Sequence, residues 1–358
     1  MSRFKRSLIL VTGFFQVAHL LAADDKLLSI AARGGHYEDM QRLELFNPFE
    51  AATGVTIITM PYYGGVNIMR NKFAPDLLDM REEDATEACA LGLARQSIPA
   101  ELAIATTENA VSTEFIANAF LECGLAHSTY SNVVAYNENA FTDVKPESIS
   151  DLFDVERFPG MRAIKKTPDN ILEWGLLAEG VPASQVYDLL STERGIRLSL
   201  DKLSSIREHI VWSDSPEEAV ALLRAGEVVM AAGVNGDFFD AWFTDAPIVI
   251  IWDGQIIDRS VWVLPVESTL QTETALAFVQ FATRAQQQAS MAQRVPYGPT
   301  RMSALSRIGF HPDKPIQMQD QLPSAGHHIK GAVHRDTDWY ANTRTFRNRL
   351  FSDWLESE

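Results

Sequence analysis

Short apolar runs separated by polar turns dominate the stretch 224–265 of the chain. Short apolar runs bounded by Gly, Asn and Asp predict buried strands. The predicted strands are 228–232, 247–252 and 260–264, and the turns between them are Asn235-Gly236-Asp237 and Asp253-Gly254-Gln255. Polar loops on rigid strands suit the recognition of a small polar molecule, although on this stretch alone ordinary turns are the better explanation.

A second pattern predicts a βαβ unit near the start of the chain. A strand at Leu27–Ala32 is followed by Arg33-Gly34-Gly35, a helix and a strand at 55–60. This order of elements indicates an α/β architecture. The glycines let backbone amides at the helix start approach a ligand closely, but the dinucleotide-binding pattern G-x-G-x-x-G is absent.

Apolar spacing predicts the remaining elements. A strand at 128–136, rich in Val, Thr and Tyr, lies in mid-chain and could cross between two lobes. A strand leading into Arg81-Glu82-Glu83 would place charges at a sheet edge, where α/β proteins bind ligands, although a solvated acidic loop is an equal interpretation. A further strand is predicted at 162–165, and helices at 85–94, 115–121, 149–153, 170–179, 186–210, 217–224, 271–295 and 337–355.

Composition and charge exclude some classes of function. The chain has 358 residues, 46% of them hydrophobic, and a formal net charge of −16. These values are typical of a globular protein of about two domains. Because a phosphate backbone repels such a chain and no run of Lys and Arg provides a local basic patch, we expect no nucleic-acid partner.

The N-terminus predicts export. Residues 1–6 (MSRFKR) are basic, residues 7–21 are mostly apolar, and Ala22-Ala23 precede two aspartates. This is the arrangement of a secretory signal peptide, with cleavage near Ala22-Ala23. The apolar run is shorter than the roughly 20 residues that span a bilayer. In an oxidising compartment Cys89 and Cys123 favour a disulfide, and two buried free thiols are the alternative.

The residue patterns of common enzymes and metal sites are missing. The chain has no G-x-S-x-G, Walker or H-E-x-x-H motif and no Cys/His metal spacing. The only histidine cluster, His327-His328 with His334, is more typical of a solvated loop than of a metal site. No carboxylate pair stands out as acid and base. These absences favour binding over catalysis, so we expect no enzymatic activity, cofactor or metal.

Several short motifs, in this order and spacing, resemble the periplasmic solute-binding proteins of ABC importers, in particular the spermidine/putrescine-binding-like group. The motifs are GGHYEDMQRLELFNPFEAATGV (34–55), CALGL (89–93), ECG (122–124), FPGMRA (158–163), LEWGLLAEGV (172–181), LLRAGEVVMAAGVNG (222–236), VWVLP (261–265), YGPT (297–300) and the Trp-containing terminal helix. Together they cover nearly the whole chain after the leader.

The resemblance implies a two-lobed periplasmic-binding-protein fold of type II, with a hinge of crossing strands and the solute in a cleft between lobes. Residues 1–23 would be the signal peptide, 24–132 plus about 262–308 the first lobe, and 133–261 plus about 309–358 the second. Residues 261–265 would carry the chain back to the first lobe. The implied protein is a periplasmic monomer that delivers solute to an ABC permease in the inner membrane, and both cysteines match positions where relatives carry one.

The resemblance also implies a set of ligand-binding positions. By position they are Arg33, Gly34, Gly35, Tyr37, Arg81, Glu82, Asp169, Asn235, Asp237, Asp258, Ser260 and Tyr297. Polyamine-binding relatives hold amine heads with carboxylates and the methylene stem with aromatic rings. Here Arg33 stands where relatives often carry Trp, Val234 where they carry an aromatic residue, and Ser260 where they carry a carboxylate.

These departures leave three functions open. The first is a receptor for a polyamine-like nitrogenous solute. The second is a receptor for an amino-acid-like or opine-like zwitterion whose carboxylate pairs with Arg33, unless Arg33 is only a surface residue. The third is an exported enzyme on the same fold.

Overall fold

The computed structural model describes residues 27–71, 73–96, 114–266 and 271–357. The signal peptide predicted at 1–23 lies outside these residues. Within them, no helix combines the length and the apolar character that a membrane crossing needs.

The described strands form one mixed sheet. They are β1 (Leu27–Ala32), β2 (Thr56–Pro61), β3 (Leu77–Arg81), β4 (Phe120–Leu121), β5 (Gly124–Asn137), β6 (Arg162–Lys165), β7 (Ile210–Ser213), β8 (Met230–Val234), β9 (Ile248–Val263), β10 (Gly298–Pro299) and β11 (Val333–His334). The main order is β2-β1-β3-β9-β5-β8-β6-β7, in which β1–β2 and β6–β7 are parallel pairs and β5–β9 is antiparallel. The sheet is therefore built from two α/β halves joined by its two longest strands.

Helices cover both halves of the sheet. They are α1 (Gly35–Gln41), α2 (Asn47–Thr53), α3 (Glu82–Ala90), α4 (Ile171–Ala178), α5 (Val186–Leu190), α6 (Glu193–Ser204), α7 (Pro216–Ala225), α8 (Asn235–Phe243), α9 (Thr272–Ala282), α10 (Ala285–Arg294), α11 (Met302–Leu305) and α12 (Thr337–Glu356). A π-helical segment, Arg42–Phe46, joins α1 to α2.

Strands β5 and β9 cross between two lobes. Their antiparallel register runs from Leu125 opposite Trp262 to Asn137 opposite Ile248, and it shifts at two irregularities. At one end β3 pairs with β9, and at the other β8 pairs with β5. Two lobes joined by a pair of long, irregular strands can rotate about those strands.

Each lobe has its own hydrophobic core. The first core takes its buried residues from 28–126 and 261–282, including Trp262 and Phe278. The second takes them from 134–354, including Trp174 and four aromatic residues of α12. The division of the chain follows the two crossing strands, and the domain limits given above remain a prediction.

Cys89 and Cys123 form the disulfide favoured by an exported chain, with 5.6 Å between their Cα atoms. Cys89 lies in α3, and Cys123 lies in the turn between β4 and β5. The bond therefore ties α3 to the start of the first crossing strand.

The structure confirms the strands predicted at Leu27–Ala32 and Arg162–Lys165 and the C-terminal helix, but it corrects the stretch 224–265. Asn235-Gly236-Asp237 begins helix α8 instead of forming a turn, because Phe238, Phe239 and Ala241 are apolar at helical spacing and all are buried.

Asp253-Gly254-Gln255 is the second correction in this stretch, since it lies inside the single strand β9 and not in a turn. The positive φ of Gly254, 71°, lets the strand bulge there and continue. The backbone carbonyl of Gly254 accepts a hydrogen bond from Trp174 Nε1 at 2.9 Å, and Asp253 accepts one from the Ile149 amide. The crossing strand is thus 248–263 rather than 261–265.

Three helix predictions were also wrong, the first of them entirely. No residue of the predicted helix 115–121 is helical, and residues 120–121 form strand β4, which hairpins onto β5 beside the disulfide. The predicted helix 186–210 is two helices, α5 and α6, because Thr192 caps a new helix start. The predicted helix 271–295 breaks between α9 and α10.

Candidate functional site

A cleft of about 570 Å³ lies between the lobes beside the crossing strands. A volume of this size is typical of small-molecule sites. The first lobe contributes Arg33, Tyr62, Tyr63 and Arg81, and the second contributes Asp169, Trp174, Asp214 and Glu217. Tyr130 and Asp258 come from the crossing strands themselves, and Arg335 follows β11.

Arg33 enters the cleft from the end of β1. Its Nη2 donates to Ser260 Oγ at 3.4 Å, and its guanidinium lies 5.5 Å from the centre of the Tyr130 ring. Among the described residues, no carboxylate lies within ion-pair distance of Arg33. Burial disfavours the charged form, but Tyr130 and Asp79 favour it, so the pKa of Arg33 lies above its ordinary value. Arg33 therefore presents a permanent positive charge to the cleft.

Asp79 lies behind Arg33 and is fully buried. Its carboxylate accepts a hydrogen bond from Gln41 Nε2 at 2.8 Å and lies 3.0 Å from His127 Nε2. Burial raises the pKa of Asp79, but His127, Arg33 and Gln41 together hold it below the ordinary value. An ionised carboxylate beneath Arg33 thus helps to keep the guanidinium charged and oriented.

The other two guanidiniums of the cleft are paired with carboxylates of the chain. Arg81 Nε lies 3.2 Å from Asp84, and Arg335 Nε lies 2.8 Å from Asp258 on β9. Arg335 also stacks on the ring of Tyr340 at 4.1 Å. Since their charges are largely neutralised within the protein, these two arginines have less to offer a solute anion than Arg33 has.

The second lobe presents carboxylates to the opposite side of the cleft. Asp214 lies two residues before α7, Glu217 lies in the first turn of α7, and both are exposed. Asp169 accepts a hydrogen bond from Arg347 Nε at 3.3 Å. Lys165 contributes one positive charge to this wall. The cleft thus has a cationic wall from the first lobe and a mainly acidic wall from the second.

Four aromatic side chains complete the cleft. Tyr62 is buried, and its hydroxyl lies 2.9 Å from Asp84. Tyr63 lines the same cleft but is 93% exposed. Tyr130 lies under Arg33, and Trp174 is held by its bond to Gly254. These rings offer apolar and π surfaces for the carbon skeleton or the ammonium group of a solute.

The structure brings four of the twelve candidate ligand-binding residues into this cleft, namely Arg33, Arg81, Asp169 and Asp258. Tyr37, Asp237 and Tyr297 form a neighbouring group. The rings of Tyr37 and Tyr297 lie 5.2 Å apart, and the Tyr297 ring lies 6.2 Å from that of Tyr130. Helix α8 approaches so closely that a Cβ at Gly236 would lie 2.1 Å from the Tyr297 hydroxyl.

The remaining candidates do not line the cleft. Glu82 pairs with Arg259, and Asn235 is fully buried, where it bonds the Ser131 amide at 2.9 Å and the Pro296 carbonyl at 2.7 Å. Ser260 contacts Arg33 instead of the cavity. Gly34 and Gly35 adopt positive φ angles of 78° and 64° at the start of α1. These residues therefore lie behind the residues that line the cleft.

Several cleft residues were not among the candidates. Tyr130 and Asn132 alternate along β5 on one face of a predicted crossing strand, which was a usable signal. Arg335, Asp214 and Glu217 had no such signal, because the chain brings them to the cleft from elements far apart in sequence.

Asp237 predicts a pH effect on stability. Burial, with Glu217 and Asp240 nearby, raises its pKa to about 7, and Arg33 partly opposes this. Because the folded-state pKa exceeds the unfolded one, the protonated form contributes stability that is complete below about pH 4 and is lost as the pH rises through about 7.

We therefore expect Asp237→Asn to stabilise the protein relative to the wild type at pH 8, on the order of 1–2 kcal/mol. The difference should shrink towards pH 4. Urea unfolding of both proteins across this range measures it, with Asp245→Asn, an exposed carboxylate just after the same helix, as the control. If the difference in free energy of unfolding stayed constant from pH 4 to pH 8, burial would not raise the pKa of Asp237.

Comparison with known proteins places this architecture in a family. Residues 44–323 match the family described as bacterial extracellular solute-binding protein. The chain is 27% identical over 337 residues to the gamma-aminobutyric acid-binding protein of Pseudomonas aeruginosa, covering 93% of this chain and 92% of that protein.

Solved structures show the same fold. The periplasmic binding protein MotA of A. tumefaciens B6, in complex with glucopine, superposes with a TM-score of 0.79 at 22% identity, over 91% of this chain and 99% of that one. The Atu4243-GABA receptor superposes with a TM-score of 0.75 at 22% identity, over 92% and 98%. The two-lobed fold predicted from the sequence is confirmed. The chain belongs to the bacterial extracellular solute-binding protein family, and it is an exported solute receptor and not an enzyme.

Proposed function

We propose that the solute is a small amino-acid-like zwitterion of the gamma-aminobutyric acid class, with its carboxylate on Arg33. The observation that carries this proposal is a charged guanidinium in the cleft without a carboxylate partner among the described residues. A guanidinium binds a carboxylate through two parallel N–H···O bonds. The Tyr130 ring and Ser260 hydroxyl already hold Arg33 in place for such a bond.

The solute's amine would face the second lobe. Asp214 and Glu217 belong to the acidic wall of that lobe, and neither makes an ion pair with a described residue. A solute with opposite charges at its two ends would thus bridge the two lobes. Such bridging favours the closed state, because only that state lets both ends be bound at once.

The relatives support this class of solute. The Pseudomonas aeruginosa relative binds gamma-aminobutyric acid by its name, and the structural neighbours bind this compound and glucopine. The cleft is larger than gamma-aminobutyric acid needs. The proposed class of solutes therefore includes larger amino-acid conjugates of the opine kind. The receptor would act in the periplasm as a monomer and pass the solute to its permease.

A polyamine is the second candidate, since the wider resemblance points to it. Asp169, Asp214 and Asp258 could hold amine groups, and Tyr62 and Trp174 could hold a methylene stem. Arg33, however, brings a positive charge without a carboxylate partner among the described residues to the wall that one end of a diamine would meet. Repulsion between like charges in a partly desolvated cleft disfavours that solute.

A thermal-shift panel tests the proposal. Gamma-aminobutyric acid at 100 times its dissociation constant should stabilise the protein by about 2.7 kcal/mol, because it binds the folded state alone. Putrescine and spermidine should leave the melting temperature unchanged. Stabilisation by putrescine without stabilisation by any zwitterion would contradict the proposal. Native mass spectrometry of protein purified without refolding would identify a co-purified solute by its mass.

A further inference from the structure

The C-terminal helix of the second lobe reaches across to the first lobe. Arg344 Nη2 lies 2.9 Å from Glu83 Oε1, and Arg344 Nη1 lies 3.0 Å from Glu87 Oε2. Arg347 Nη2 lies 3.8 Å from the same Glu83 oxygen. Helix α12, which carries both arginines, packs its aromatic residues into the second core, whereas α3 packs Ala85 and Ala88 into the first. These ion pairs therefore join groups that belong to different lobes.

Arg347 connects this contact to the solute cleft. Its Nε donates to Asp169 Oδ1 at 3.3 Å, and Asp169 lines the cleft. The Arg347 side chain is only 3% exposed, and it lies over the ring of Tyr340 at 4.5 Å. Its Nη1 also donates to the Tyr340 carbonyl. A guanidinium fixed on so many sides holds the Asp169 carboxylate in one position.

A second polar cavity lies beside this contact between the two helices. It measures about 410 Å³ and is lined by residues of α3 and α12. Arg81, Thr167 and Asp169 line both this cavity and the solute cleft. The contact between α3 and α12 is thus one residue layer away from the solute cleft.

We propose that Glu83, Glu87, Arg344 and Arg347 form an interlobe clasp that stabilises the lobe orientation seen here and slows solute release. Arg347 acts as a positioning residue for Asp169, while Arg344 acts only between the lobes. Ion pairs that form across a closing interface add to the stability of the closed state and disappear in the open one. The effect on solute release rests on the proposed function, whereas the effect on lobe orientation does not.

Arg344→Gln tests the clasp without touching the cleft, since Arg344 does not line it. Arg349→Gln is the matched control, because Arg349 lies on the same helix, is exposed and makes no ion pair with a described carboxylate. In small-angle X-ray scattering of the ligand-free proteins, we expect Arg344→Gln to increase the radius of gyration and Arg349→Gln to leave it unchanged. Equal radii for the wild type and both variants would overturn the clasp, whatever the solute is.

Stopped-flow release of gamma-aminobutyric acid gives the second measurement. We expect Arg344→Gln to release it roughly 3–5-fold faster, with the association rate little changed and Arg349→Gln like the wild type. The double variant Arg344→Gln/Glu87→Gln should release it no faster than Arg344→Gln, because the two residues act as a pair. If the two substitutions accelerated release independently, so that their effects added in the double variant, the pairing of Arg344 with Glu87 would be contradicted. If the wild type binds no gamma-aminobutyric acid, the proposed function fails and scattering alone decides on the clasp.

Discussion

Replacing Arg33 with methionine is expected to lower the affinity for gamma-aminobutyric acid by about 30-fold to 4,000-fold. Methionine keeps much of the length and apolar volume of the side chain but removes the charge that would pair with the solute carboxylate. Truncating one partner of a desolvated, hydrogen-bonded charge pair typically costs 2–5 kcal/mol. Isothermal titration calorimetry of the wild type and the variant measures the loss.

Two further variants make the result specific to Arg33. Arg42→Met removes an arginine of the same lobe that lies over the ring of Phe46 at 5.4 Å and away from the cleft, and it should bind like the wild type. Arg33→Lys keeps the charge but loses the forked pair of N–H donors. Its affinity for gamma-aminobutyric acid should therefore lie between that of the wild type and that of Arg33→Met. Unchanged affinity in Arg33→Met, with binding intact in the wild type, would contradict a carboxylate on Arg33.

Removing the disulfide has the largest expected effect on stability. Cys89 and Cys123 are 34 positions apart in sequence, and closing a loop of that length contributes about 3–4 kcal/mol, mainly by restricting the unfolded chain. At roughly 2–4 °C per kcal/mol, the Cys89→Ala/Cys123→Ala protein should melt about 10 °C lower than the wild type. Differential scanning calorimetry measures the difference.

The affinity for solute should change little in the same variant, since neither cysteine lines the cleft. The wild type unfolded in the presence of a reductant should reproduce the lower melting temperature. The same melting temperature with and without the disulfide would show that the bond does not restrict the unfolded chain.

Local pattern was sufficient to predict much of the fold. The strands at the start of each lobe and the C-terminal helix are short-range features, set by apolar spacing, glycines and caps. The stretch 224–265 was misread because a helix start and a turn share the same residues, Asn and Gly. Only the buried Phe238 and Phe239 distinguish the two, and their burial depends on the packing of the second lobe.

The site was harder to predict than the fold. Arg33 and Asp258 lie next to predicted strand ends, where a local pattern marks them. Arg335 comes from a short segment with no periodicity, and it reaches Asp258 only because β11 pairs with β9. Asp214 and Glu217 line the same cleft as Arg33 but come from the other lobe, so their proposed role depends on the orientation of the lobes. Contacts of that kind depend on tertiary structure, and the neighbouring residues in the sequence show no pattern that predicts them.

The most direct measurement of the central claim is a side-by-side calorimetric titration of the wild type with gamma-aminobutyric acid and with putrescine. The two compounds have chains of similar length, but only the first carries a carboxylate. A cleft built around an unpaired Arg33 predicts binding of gamma-aminobutyric acid at one site per chain and no detectable binding of putrescine. Binding of putrescine, with no heat from gamma-aminobutyric acid, would contradict the account.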